Sequence, residues 1–202
     1  MARLIVYYAH PAQHLSTVNI AMKRAADAVD GITLVDLYAD YPRFDINVDR
    51  EQARLSDHDV IMFQFPMFWY STPSLVKEWQ DLVLEHGFAY GQGGEALAGK
   101  TLMLAVTAAG PADAYSAEGY QHYPIRTFLT PLERTAGLCK MRFPAPYVLF
   151  GALRAAADQG IAPHVAGYAR LLAAIRDDRY DFDAALARDV LHHDTLPLRE
   201  AA

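Results

Sequence analysis

Long apolar runs that leave no face for water constrain this chain more than any other feature. LIVYYA sets a first strand at about 3–8, DVIMFQF another at 59–65, and TLMLAVT another at 101–107. A strand half exposed to solvent alternates apolar and polar residues. A continuous run instead suits a parallel strand covered by helices on both faces. ITLVDL at 32–37 adds a shorter strand, and 138–149 supplies a fifth, interrupted by Pro144 and Pro146.

Between these runs the apolar spacing becomes helical. Ile20, Ala21, Ala25 and Val29 share one side of a helix over 17–29, and a second helix starts near 50–56. Ser71 or Thr72 offers a cap for a third, with Pro73 in its first turn and Leu75, Val76, Trp79, Leu82 and Val83 on its apolar side. Further helices are predicted over 124–136 and 163–176, the latter burying Val165, Tyr168, Leu171, Leu172 and Ile175. The segment 38–50 reads as a long loop, and the five glycines of 87–99 as a mobile or tightly turning connector.

Alternating strands and helices predict an α/β three-layer fold with a five-stranded parallel sheet. Right-handed crossovers leave 2-1-3-4-5 as one standard strand order, with a ligand crevice beyond the C-terminal ends of strands one and three. That order brings 9–19, 66–70 and 107–115 together at the crevice. Residues 1–176 read as one domain and 177–202 as a charged, less regular extension.

Composition excludes several functions. Of 202 residues, 52% are hydrophobic and 21% charged, which suits a globular chain with a substantial core. A net charge of −6 gives no support to a nucleic-acid surface, although a local basic pocket for a nucleotide phosphate stays open. The single cysteine, Cys139, rules out an intrachain disulfide and reads as a small buried residue. No stretch reaches eighteen apolar residues, and the opening run is too short for a secretory leader. The chain therefore reads as cytoplasmic, or peripheral to a membrane through a partner. His192, His193 and Asp194 are adjacent without the dispersed spacing of a zinc site, so no metal is expected. The acidic clusters at 49–59 and 177–183 read as solvated faces.

Three segments carry candidate chemistry. AHPAQHLSTVN at 9–19 enters a helix, where His10, Ser16, Thr17 and Asn19 can hold an anion; ordinary capping by Ser16 or Thr17 explains the same residues. FQFPMFWYSTP at 63–73 places Pro66, Met67, Phe68, Trp69 and Tyr70 where they can wall a flat ligand or pack a core or dimer contact. VTAAGPADAYSAEGYQH at 106–122 offers small residues for close approach and two proton donors, Tyr115 and His122. None of the three is a Walker loop or a glycine-rich dinucleotide fingerprint.

At YAHP (8–11), EQARLSDHDVIMFQFPMFWYSTPSLVKEWQD (51–81) and HGFAYGQGGEALAGK (86–100) the chain resembles a known family. It is similar to the flavodoxin-like NAD(P)H:quinone oxidoreductases, and within them to the ancillary quinone reductases of bacterial glutathione-gated potassium-efflux systems. The resemblance covers approximately 3–176. It implies a tightly bound flavin (FMN, with FAD sharing the same reactive ring), NADH or NADPH as donor, a quinone acceptor, a homodimer and ping-pong two-electron transfer. It places His10, Ser16, Thr17 and Asn19 at the flavin phosphate or ribityl chain, and Pro66, Met67, Phe68 and Trp69 along the isoalloxazine. Thr107, Ala108, Ala109 and Gly110 match a TTGG stretch at the ring edge, with Ala109 standing for a glycine. Tyr115 matches a tyrosine near the flavin, and Tyr90 an aromatic of the acceptor pocket reached across the dimer. His122, the candidate proton relay, lies one place later relative to Gly119 than in the mammalian members. Two other readings accompany this one: a flavin-binding regulatory subunit of a potassium-efflux transporter, and an electron-carrier flavodoxin.

Overall fold

The computed structural model describes residues 1–158 and 160–199. Five strands, β1 (Leu4–Tyr8), β2 (Thr33–Asp36), β3 (Val60–Pro66), β4 (Thr101–Thr107) and β5 (Tyr147–Leu149), form one parallel sheet. Their order is β2-β1-β3-β4-β5, as expected. Ile5 lies beside Thr33 on one flank and Ile61 on the other, Ile61 beside Leu102, and Ala105 beside Tyr147.

Each apolar run divides between two cores, because successive side chains on a strand point to opposite faces. Ile5, Tyr7, Ile61, Phe63, Phe65, Leu102, Leu104 and Val106 join one core. It packs under α2 (Leu37–Asp40), α3 (Val48–Asp57), α4 (Ser74–Val83) and, beyond the short α5 (Ile125–Phe128), α6 (Thr130–Leu138). Leu4, Val6, Val60, Met62, Met103 and Ala105 join the other core, beneath α1 (Val18–Asp27) and α7 (Ile161–Arg176).

Four expectations need correction. Only Tyr147–Leu149 of 138–149 is strand, because Pro144 and Pro146 each lack a ladder N–H. The helix expected over 124–136 breaks at Leu129, before Pro131, into α5 and α6. Helix α4 has Pro73 as its N-cap without a side-chain cap, while Ser71 exchanges backbone hydrogen bonds with Phe68 instead. The loop at 38–50 contains most of α2 and the start of α3, whose first turns are capped by Asp36 and Asn47.

The acidic cluster at 49–59 also hides a buried charge. Glu51 is fully buried and accepts hydrogen bonds from the Tyr41 hydroxyl (2.5 Å), Arg54 Nη1 (2.7 Å) and Trp79 Nε1 (3.1 Å). A buried carboxylate is tolerated only when its lone pairs are matched this fully. Glu51 therefore ties α3 to α4, the helix that carries the chain away from the end of β3. Over the described residues 177–199 the chain packs back onto the domain. It forms α8 (Phe182–Leu186), capped by Asp181, and buries Tyr180, Ala185 and Leu191 in the second core.

Candidate active site

A cleft of about 370 Å³ opens at the C-terminal ends of β1, β3 and β4, a size ordinary for a small-molecule site. Its walls are His10, Ala12, Leu15, Ser16, Thr17, Val18, Asn19, Pro66, Met67, Phe68, Thr107, Ala109, Ala152 and Leu153. The crossover from β1 to β2 leaves on one side and the return to β3 enters on the other, so the loops part there. The three expected segments do converge on this crevice. None of the lining residues is Lys, Arg, Asp or Glu.

The first wall presents neutral hydrogen-bond donors. His10 is buried, and its Nδ1 accepts from Ala12 N (3.1 Å). In the neutral ring the proton therefore sits on Nε2. Burial, reinforced by neighbouring His14, holds the His10 pKa below its ordinary value, which keeps that tautomer at neutral pH. Ser16 Oγ accepts from Asn19 N (3.0 Å), so Ser16 does cap α1. Its own hydroxyl hydrogen stays free to donate, and the leading amides of a helix lack internal acceptors. Capping and anion binding are therefore compatible uses of one residue.

The floor is a buried amide relay. Asn19 Nδ2 donates to Thr107 Oγ1 (2.8 Å), and Gln64 Nε2 donates to the Asn19 carbonyl (2.9 Å). These bonds lock α1 to β3 and β4. Asn19 Oδ1 and Gln64 Oε1 are buried acceptors without a partner. Such a group costs about 1–3 kcal/mol unless something donates to it. Gln64 escaped the sequence reading, although it is the one polar residue inside the run VIMFQF and that isolation was the available signal.

The second wall begins at Met67, whose N–H donates to the Thr107 carbonyl (2.9 Å). Phe68 meets His10 edge-on at 5.8 Å. Phe68 and Ser71 then pair by two 3.0 Å backbone bonds, with Trp69 at φ +49° and Tyr70 at φ +64° between them. Positive φ at both central positions is a type I′ turn, which favours Asn and Gly. Two bulky aromatics there store strain of about 1–3 kcal/mol each. Trp69 is 93% exposed and does not line the cleft of a single chain, while Tyr70 stacks on Phe128 at 5.2 Å.

On the third segment, Thr107 and Ala109 line the cleft and Ala108 is buried behind them. Neither Ala109 nor Gly110 has positive φ, so the position of Ala109 needs a small side chain and not glycine dihedrals. Gly110 sits close to two tyrosines: a Cβ there would lie 2.7 Å from the Tyr120 hydroxyl, the tip of an exposed side chain, and 3.2 Å from Tyr115 Cε2. Tyr115 is half-buried against Phe150 (5.4 Å) and Phe128 (6.1 Å). Burial, with Tyr120 and Tyr70 nearby, pushes its phenol up, so it keeps its proton at neutral pH.

His122 is exposed on a turn at φ +59°, and its ring makes no hydrogen bond to Tyr115. Tyr90 sits edge-on to His86 at 5.6 Å, on a connector of tight glycine turns, and does not line the cleft of one chain. Ala152 and Leu153, from the loop after β5, are walls the sequence reading missed. The signal was available, since every parallel strand exits on the same side as β1 and β3.

Parallel order 2-1-3-4-5 with a ligand cleft at the β1/β3 parting defines a flavodoxin-like protein. A family model described as flavodoxin-like fold matches residues 2–172, and the chain belongs to that family. It is 42% identical over 172 residues to the glutathione-regulated potassium-efflux system ancillary protein KefG of Cronobacter sakazakii, covering 85% of this chain and 93% of that one. Among solved structures, general stress protein 14 of Treponema denticola in complex with FMN superposes with TM-score 0.80 at 34% identity, covering 86% of this chain and 99% of that one. An NADPH-quinone reductase from P. pentosaceus gives TM-score 0.71 at 27% identity over 83% of this chain and 96% of that one.

The residues present fit a flavin nucleotide part by part. His10, Ser16 and Thr17 offer donors for a phosphate. The partnerless, buried Asn19 Oδ1 would be free to accept from a hydroxyl of the polyol chain. Met67 and Phe68 offer a surface for the flat ring. Among the described residues no helix is long and apolar enough to cross a membrane. Burial raises the Cys139 thiol, in keeping with a structural side chain.

Proposed function

We propose that this chain is a flavin-dependent NAD(P)H:quinone oxidoreductase that carries FMN and passes two electrons by a ping-pong route. The observation that carries the reading is the cleft's order: neutral anion donors, then a buried acceptor awaiting a hydroxyl, then an apolar wall. An FMN complex and an NADPH-quinone reductase among its structural neighbours support the same reading.

His10 Nε2–H, the Ser16 and Thr17 hydroxyls and the α1 amides hold the phosphate. Asn19 orients the polyol, with Gln64 and Thr107 fixing Asn19. Pro66, Met67 and Phe68 run along the ring, and the backbone of 107–110 borders its edge. When bound, a flavin would supply the two-electron redox chemistry between a reduced nicotinamide and a quinone. Tyr115, kept protonated by burial, donates a hydrogen bond to the oxyanion that develops on the acceptor. His122, the candidate proton relay, is exposed on its turn and makes no bond to Tyr115.

A second subunit completes the acceptor side. The nearly bare Trp69 on its strained turn, with exposed Tyr120 and Tyr123, supports a homodimer in which Tyr90 and Trp69 face the partner's acceptor. The similarity to KefG supports a further role beside a potassium-efflux transporter, the chain reaching the membrane through that partner.

Anaerobic stopped-flow absorbance of the flavin-loaded protein tests the proposal. Mixing with NADH or NADPH should bleach the flavin, and a benzoquinone should restore it within the same turnover time. A bound flavin that neither nicotinamide reduces would sink the reductase reading and leave the regulatory one.

A further inference from the structure

The family match ends at residue 172, yet the chain beyond 177 returns to the cleft. Leu191 lies alongside Tyr147 as a one-residue parallel addition to the sheet edge. Its N–H donates to the Pro146 carbonyl (2.9 Å), and Val148 N donates to the Leu191 carbonyl (3.0 Å). Arg170 of α7 donates to the His193 carbonyl, and His192 N donates to Thr195 Oγ1 (2.8 Å). Helix α7 is notched to admit this strap, because a Cβ on Gly167 would fall 2.4 Å from His193 Cβ.

Two strap side chains reach the back of the cleft wall. Val190 packs against the small cluster of Ala108, Ile125 and Val148, which Tyr115 and Phe150 also flank. The His192 ring sits 5.8 Å from the Phe150 ring, and its Nδ1 lies 3.2 Å from the Val148 carbonyl. Phe150 in turn meets Tyr115. The loop it begins is bonded to the third segment, Gly151 N to the Gly110 carbonyl (2.8 Å) and Ala152 N to the Ala108 carbonyl (2.9 Å).

We propose that the C-terminal strap is a buttress for the cleft, in which Val190 and His192 are positioning residues that hold Phe150, and through it Tyr115 and the 108–110 backbone, in place. The segment they hold borders a flavin ring only on the functional reading given above; the mechanical coupling itself does not need that reading. The loop 150–153 has few buried contacts of its own, so its order is borrowed from the strap behind it.

Amide hydrogen exchange on the full chain, first without FMN and then with FMN titrated in, tests the buttress. His192→Ala should speed exchange at 108–110 and 150–153 about fivefold, as loss of one aromatic contact predicts, while β1 and α1 keep their wild-type rates. FMN affinity should weaken several-fold in step. His192→Phe, which keeps a ring against Phe150, should restore both, and Val190→Ala should reproduce the faster exchange. Faster exchange confined to 188–195 in His192→Ala would overturn the proposal, as would a His192→Phe protein as loose as the alanine variant. A wild-type chain that takes up no FMN would refute the flavin reading, and the exchange rates without FMN would still decide the buttress.

Discussion

The floor and the rim of the cleft are built on opposite principles. On the floor, Asn19, Gln64 and Thr107 are all buried and interlocked by hydrogen bonds that join α1, β3 and β4, while the buried His10 of the first wall takes only a local bond from Ala12 N. At the rim, Trp69, Tyr70 and His122 all stand at positive φ and are exposed. The floor is finished by one chain and lacks only donors for its two free acceptors. The rim holds strained, solvent-facing aromatics whose conformation is justified only if something covers them. On the proposed function, a single chain would suffice to seat a cofactor, and a second copy would complete the substrate side.

Acid should have the largest effect on the molecule as a whole, through two buried histidines. His10 in the first wall and His164 behind the sheet both have their pKa lowered by burial, the latter to about 3. The unfolded chain protonates each near pH 6.5, while the folded chain resists, so stability falls as pH drops below about 6.5. For His164 the loss continues to about 3, with a slope of up to about 1.4 kcal/mol per pH unit per proton. Denaturant titrations from pH 7.5 to 4 should show a shallower slope in His164→Phe. An unchanged slope would mean that other groups drive the acid transition.

Asn19→Ala removes the Thr107 bond and the free acceptor together. It should weaken FMN binding about tenfold to a hundredfold, the loss expected for buried hydrogen bonds, as read by quenching of flavin fluorescence. Wild-type affinity in that variant would show that the floor is merely structural. At the rim, Trp69→Asn with Tyr70→Gly fits the turn's dihedrals and should raise stability by about 1–2 kcal/mol while lowering quinone turnover. A loss of stability would break the claim that the rim is strained. The smallest effect is expected at Ala109, where glycine should cost about 0.5–1 kcal/mol of stability and bring no gain in FMN affinity.

The sheet was legible because LIVYYA, DVIMFQF and TLMLAVT admit few alternatives, and a parallel order then fixes which loops meet. The cleft's first wall was legible too, since a helix start after a strand is a local pattern. What escaped was non-local. Glu51 and Gln64 are polar residues with partners in other elements, 28 positions away at Trp79 for Glu51 and 45 away for Gln64, so neither announces its burial. The outward direction of Trp69 depends on the sign of φ in one turn, which residue identity argued against. Strand β5 shrank because two prolines removed the ladder donors of a run that otherwise looked like a strand.

Dilution tests the contrast between floor and rim most directly. FMN affinity and quinone turnover per bound flavin should be followed on one sample series spanning dimer dissociation, with the oligomeric state read by sedimentation. A floor complete in one chain predicts an FMN Kd that stays constant while turnover per flavin falls with the dimer fraction. An FMN Kd that weakens in parallel with dimer loss would contradict it, and would place the second copy in the cofactor site itself.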